Sequence, residues 1–145
     1  MLKLARQQIL LGQSVTTKAD AIALLAGKLT DAGLVEAGYV DGMLAREAQH
    51  ATYLGSGIAI PHGRIKTLKD ALGAFIRLAE PVPFDAPDGR PVSMLFVLLV
   101  PEQANEHHLQ LLSELAQMFS DRAFREQLLN APDAQSAHDL FVQWG

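Results

Sequence analysis

Val92-Ser93-Met94-Leu95-Phe96-Val97-Leu98-Leu99-Val100 is apolar at odd and even positions alike. A strand sends successive side chains to opposite faces, so a run that is apolar on both parities must be covered on both. The stretch predicts a central strand, and with it an α/β architecture. Ala74-Phe75-Ile76-Arg77-Leu78 reads as a second strand beside it. Between the two, residues 81–91 are rich in proline, aspartate and glycine and read as a surface excursion, with room for an edge strand at 82–84.

Downstream, apolar residues recur at helical spacing over 105–120, 122–129 and 134–144, with breaks at Asp121 and Pro132. Upstream, Thr17-Lys18-Ala19-Asp20 offers a hydroxyl cap and an acidic third residue, so a helix starts there. Ile22, Leu25, Ala26 and Leu29 follow at the spacing of one buried face, and Gly33 supplies a stop. A further helix is expected over 37–49, with Val40, Met43 and Leu44 on its apolar side. Residues 53–64 break this pattern with glycines, an Ile58-Ala59-Ile60 run and Pro61, and read as a loop containing a short extended piece. Helices, then strands, then helices give a single α/β domain over residues 1–145, its central mixed sheet covered by helices on both faces.

The chain has 145 residues, 49% of them hydrophobic and 19% charged. That length suits one domain, which buries about 68–70% of its unfolded-chain surface, and the apolar content excludes a disordered chain. With 12 Lys+Arg against 16 Asp+Glu the formal net charge is -4, so nucleic acid is not the expected partner. No cysteine is present, which removes thiolate nucleophiles, thiolate metal sites and disulfides together. The apolar run from Met94 to Pro101 is far short of the roughly 20 residues a membrane span needs. The first residues lack the pattern of a secretory signal, so the expected location is the cytoplasm, without membrane insertion.

The chemistry has to come from other side chains, and histidines stand at 50, 62, 107, 108 and 138. His62 lies between Pro61, which stiffens the preceding backbone, and Gly63, which leaves room for a partner to approach. Two readings are open on that local sequence: a presented nucleophile, or a ring that hydrogen-bonds to loop backbone. His107 and His108 open the helix near residue 105. At about 100° per residue, Leu111, Leu112, Leu115 and Phe119 fall near the direction of His108, whereas His107 projects toward Gln110 and Glu114. His108 is then either a satisfied core histidine or a side chain at a helix N-terminus that favours anions. His50 and His138 read as surface or cap residues. Arg46, near the end of its helix, either complements the C-terminal dipole or offers a guanidinium fork to a phosphate.

Several chemistries are absent from the sequence. There is no GxxxxGKS loop, no GxGxxG after a strand, no GxSxG elbow and no HExxH pair. His62 with the doublet makes a poor three-nitrogen metal site, because adjacent helical residues diverge by about 100°.

From Glu47 to Gly63 the chain resembles the enzyme IIA domains of the fructose and mannitol class, type 2, of the bacterial phosphoenolpyruvate-dependent sugar phosphotransferase system. The family signature is matched by Glu47, Leu54, Gly55, Ile58, Ala59, Ile60, Pro61, His62 and Gly63 in one register. The likeness extends over nearly the whole chain, including Gly38-Tyr39-Val40-Asp41-Gly42-Met43-Leu44-Ala45-Arg46 and Asn105-Glu106-His107-His108-Leu109-Gln110-Leu111-Leu112.

The resemblance implies that His62 is the phosphoryl acceptor, through Nε2, with His108 assisting and Arg46 holding the phosphoryl group. One position departs from the family, where an acidic residue commonly precedes the assisting histidine and this chain has His107. The implied donor is a phosphohistidine carrier of the HPr type. The implied acceptor is a cysteine of an enzyme IIB domain, which a cysteine-free chain must find on another module. No cofactor, nucleotide or metal is implied. The stretch from Tyr39 to Gly63 looks closer to the fructose branch, which favours sugar uptake. Relatives in the nitrogen-linked branch instead bind partner proteins according to phosphorylation state.

Overall fold

The computed structural model describes residues 8–15, 17–31, 53–55, 57–65, 68, 71–82, 91–101 and 106–143. In chain order the elements are β1 (Ile9–Gln13), α1 (Lys18–Asp31), β2 (Tyr53–Gly55), β3 (Ile58–Ala59), β4 (His62–Ile65), β5 (Leu72–Val82) and β6 (Val92–Pro101). Three helices follow: α2 (Glu106–Ser120), α3 (Arg122–Asn130) and α4 (Ala134–Gln143).

β6 is the spine of the sheet. On one side it pairs antiparallel with β5, from Leu72 opposite Leu99 to Arg77 opposite Met94. On the other it pairs parallel with β3 and, further along, with β4. β1 lies parallel to β5 at one edge and β2 antiparallel to β3 at the other, so the sheet is mixed.

The two parities of β6 go where its composition requires. Leu95, Val97 and Leu99 join a buried cluster with Ala21, Ile22, Leu25 and Leu29 of α1. Met94, Phe96 and Leu98 join a second cluster with Leu115, Met118 and Phe119 of α2, Phe124 and Leu128 of α3, and Ala137 of α4. Helices therefore cover both faces. In the second layer Phe119 has ring centroids 6.4 Å from Phe75, 6.1 Å from Phe96, 5.9 Å from Phe124 and 6.0 Å from Phe141, which itself touches the same rings.

Short polar contacts set the helix ends. Thr17 Oγ1 accepts from the Asp20 N–H at 3.1 Å, which starts α1 where the sequence placed it. Asp121 caps α3 by accepting from the Phe124 N–H at 3.1 Å. Asp133, after Pro132, accepts from the Ser136 N–H at 2.8 Å and so caps α4. The Arg77 guanidinium Nη1 reaches from β5 across the layer to the end of α3. It donates to the carbonyls of Leu128 at 2.7 Å, Leu129 at 3.1 Å and Ala131 at 2.9 Å. These acceptors lie at the C-terminal end of α3, where backbone carbonyls run out of intrahelical donors, although the Leu128 carbonyl also accepts from the Ala131 N–H at 3.4 Å.

The structure corrects the sequence reading in three places. Residues 53–65 hold three short strands rather than a loop with one extended piece, because the second edge of β6 supplies β3 and β4 with hydrogen-bond partners. β1 was not expected: five residues long, with Gly12 at φ +66°, it gains its pairing only from the distant β5. β5 is longer than 74–78, and Val82 is its last residue, opposite Val92, rather than the start of a separate edge strand. The expected helix over 37–49, the stop at Gly33 and residues 83–90 lie outside the described residues. Among the described residues, no helix is long and apolar enough to cross a membrane.

Candidate functional site

The segment leading to His62 is held against β6 at both of its ends. At Gly57, φ is +79° and the carbonyl oxygen accepts from Ser93 N at 2.9 Å and Met94 N at 3.3 Å, with Ser93 Oγ at 3.4 Å. Ile58 and Ala59 then pair with Met94 and Leu95. Ile58, Ala59 and Ile60 are all buried, at 0%, 0% and 2% exposure, so this stretch belongs to the core and not to a surface loop. Pro61 has no N–H to give, and the ladder pauses there. Its carbonyl is nevertheless used: the Leu98 N–H donates to it at 3.0 Å.

His62 follows immediately as the first residue of β4, in register with Leu98. Leu98 is three positions before the end of β6 at Pro101, and α2 begins at Glu106. The backbone of α2 carries His107 and His108 in its first turn. The helix returns over the layer that contains Leu98, with Leu115 buried there and Leu111 and Leu112 half-buried against it. Gln110 and Glu114 are exposed. The face division read from the sequence therefore holds for the described part of the helix: 111, 112 and 115 inward, 110 and 114 outward.

For His62, His107 and His108 the structure describes the backbone alone. It places His62 on β4 and the doublet at the start of the helix that follows β6. Arg46 and His50 lie outside the described residues. His138, expected at the surface or as a cap, sits within α4 and is half-buried. Two residues that the sequence reading passed over shape this site: Gly57, in a position the signature leaves free, and Ser93, the polar interruption in the apolar run of β6. The glycine and the lone serine were the available signals.

β6 links the two histidine-bearing elements: it pairs with the strand that begins at His62, and the next described element after it is the helix that begins at Glu106, whose first N–H groups have no partners within the helix. A family model described as "Phosphoenolpyruvate-dependent sugar phosphotransferase system, EIIA 2" matches residues 3–144. The chain belongs to that family.

Individual relatives span both of its branches. The fructose-specific EIIA component of Haloferax volcanii is 37% identical over 137 residues, covering 93% of this chain and 89% of that one. The crystal structure of the nitrogen regulatory protein IIA-Ntr from Neisseria meningitidis superposes with a TM-score of 0.86 at 42% identity, covering 96% of this chain and 94% of that one. The mannitol enzyme IIA of Escherichia coli, solved in complex with phosphorylated mannitol enzyme IIB, gives a TM-score of 0.85 at 26% identity, covering 99% of this chain and 100% of that one.

Proposed function

We propose that the chain, acting as one IIA domain over residues 1–145, is a phosphocarrier in which His62 accepts a phosphoryl group from an HPr-type phosphohistidine donor and passes it on. One observation supports the reading: His62 follows directly on the Pro61–Leu98 hydrogen bond and stands in register with Leu98 of the strand that precedes the helix carrying His107 and His108 in its first turn. The donor N–P bond breaks as the His62 Nε2 lone pair forms a new one, and the leaving imidazole keeps the electrons of the broken bond. Such a transfer needs little covalent help beyond in-line positioning and stabilisation of charge on the phosphoryl oxygens. His108 and Arg46 supply donors to those oxygens, and the resulting phosphoramidate is reactive enough to be handed on. The reaction needs no metal or cofactor, and its compartment in this reading is the cytoplasm.

Two outputs follow from a charged His62. In transport, the phosphoryl group moves to a cysteine of an enzyme IIB domain for sugar uptake, as the sequence reading preferred. In regulation, the protein binds partner proteins in one phosphorylation state. The 42% identity to IIA-Ntr over nearly the whole chain supports regulation, and the 37% identity to a fructose-specific component keeps transport as the second reading.

The test is to charge the protein with phosphorylated HPr-type carrier, remove the carrier, and add fructose-type IIB domain. The regulatory reading expects phosphohistidine that persists beside the IIB domain. Rapid, stoichiometric transfer to the IIB cysteine overturns it in favour of transport.

A further inference from the structure

We propose that Gly57 is a positioning residue for His62: its left-handed turn, fastened to Ser93, sets the register in which β3 and β4 lie on β6. The proposal rests on His62 being the phosphoryl acceptor, and deepens that reading by naming what holds the acceptor in place.

At φ +79° the backbone is in a region that glycine enters freely and other residues rarely. The space is tight on one side as well. A Cβ built at Gly57 would lie 3.2 Å from Ser93 Oγ, 3.5 Å from the Pro91 carbonyl oxygen and 3.8 Å from Ser93 N. The tightest of these contacts is with Ser93, the residue whose N–H donates to the Gly57 carbonyl at 2.9 Å, with Met94 N at 3.3 Å. A side chain at 57 therefore combines a strained φ with a contact that the Ser93 hydroxyl must move a few tenths of an ångström to relieve.

The consequence travels along a short, stiff path. From Gly57 the chain makes the two-residue strand β3, passes buried Ile60 and Pro61, and arrives at His62 opposite Leu98. β3 has too few ladder bonds to hold its register unaided. Because side chains alternate with period two, a slip of one residue would exchange the faces of Ile58, Ala59 and Ile60 and change which residue stands opposite Leu98. The turn at Gly57 and the Pro61–Leu98 hydrogen bond are the two stops against that slip. Only the first depends on a residue without a side chain.

The experiment compares the parent with Gly57→Ala and Gly57→Asn, asparagine entering the left-handed region more readily than alanine. Phosphorylation by an HPr-type donor gives kcat and KM, amide exchange reports the Leu98 N–H, and nuclear magnetic resonance follows the His62 ring. A misplaced reacting group loses about 100-fold in rate for a shift of order 1 Å. The expected result is kcat lowered at least about 10-fold for Gly57→Ala with KM for the donor nearly unchanged. Leu98 exchange should be faster, the His62 ring signals shifted, and Gly57→Asn should fall between parent and alanine.

If Gly57→Ala fails to fold, Gly57→Asn carries the same readouts against the parent. A folded variant that melts earlier but keeps the parent kcat, Leu98 protection and His62 signals would show a purely structural glycine and overturn the proposal. Should the parent take no phosphoryl group, the acceptor assignment itself fails. The exchange and ring signals would then still report whether Gly57 sets the register.

Discussion

The Leu98 N–H donates to the Pro61 carbonyl at 3.0 Å, one residue before His62 enters the sheet. The same leucine is the register partner of His62, and its side chain, 2% exposed, sits among Phe75, Phe96 and Leu115. One residue of β6 thus holds the candidate site by its backbone and the helical layer by its side chain.

Leu98→Ala removes the side chain and keeps the N–H. Truncating a fully buried leucine costs about 2–5 kcal/mol, depending on how far the surroundings collapse. The urea midpoint of unfolding should fall accordingly. A loss below about 1 kcal/mol would mean that this layer is less tightly packed than its burial indicates.

Arg77→Met separates stability from function. It deletes the guanidinium that serves the Leu128, Leu129 and Ala131 carbonyls while keeping an apolar stem in the layer. Hydrogen bonds from a charged donor contribute about 1.5–3 kcal/mol, and a loss of that size is expected in denaturant titration. Phosphorylation of His62 should stay within about twofold of the parent, because a 1.4 kcal/mol change in a barrier would already give a tenfold effect. A collapse in rate with unchanged stability would assign Arg77 to the site instead.

Much of this architecture was legible in the sequence, and what was missed shares a cause. The three C-terminal helices were found nearly to the residue, because Asp121 and Pro132 punctuate strongly periodic stretches. β6 was found because nine residues apolar on both parities have few alternatives. β1, β2 and β4 were missed, and β3 was read only as a short extended piece, because these strands are short, three of them contain glycine, and β1, β3 and β4 owe their pairing to residues far away in sequence. Propensity is local, and ladder bonding is not. The same limit applies to the site. The signature singles out His62 as the candidate acceptor, whereas the contact between Gly57 and Ser93 and the carbonyl partners of Arg77 join residues far apart in the sequence.

The histidine doublet gives a comparison within one helix. His108, on the side of Leu111, Leu112 and Leu115 by spacing, is expected to donate to the phosphoryl oxygens. Losing one preorganised donor typically costs about 100- to 1,000-fold in rate. His108→Ala should accept phosphate slowly and pass it on poorly. His107→Ala, on the side of Gln110 and Glu114, should stay within about 0.5 kcal/mol of the parent in stability and near it in rate. Quench-flow transfer measured in both directions decides between them, and a crippled His107→Ala would move the assisting role to that residue.

The measurement that bears most directly on the whole account is phosphoryl uptake by the parent and by His62→Ala from a phosphorylated HPr-type donor, followed by intact-protein mass. The parent should gain one phosphoryl group, labile in acid and stable in base as a phosphohistidine is. His62→Ala should gain none while keeping the parent's circular dichroism. Uptake of one phosphoryl group by folded His62→Ala would contradict the central assignment.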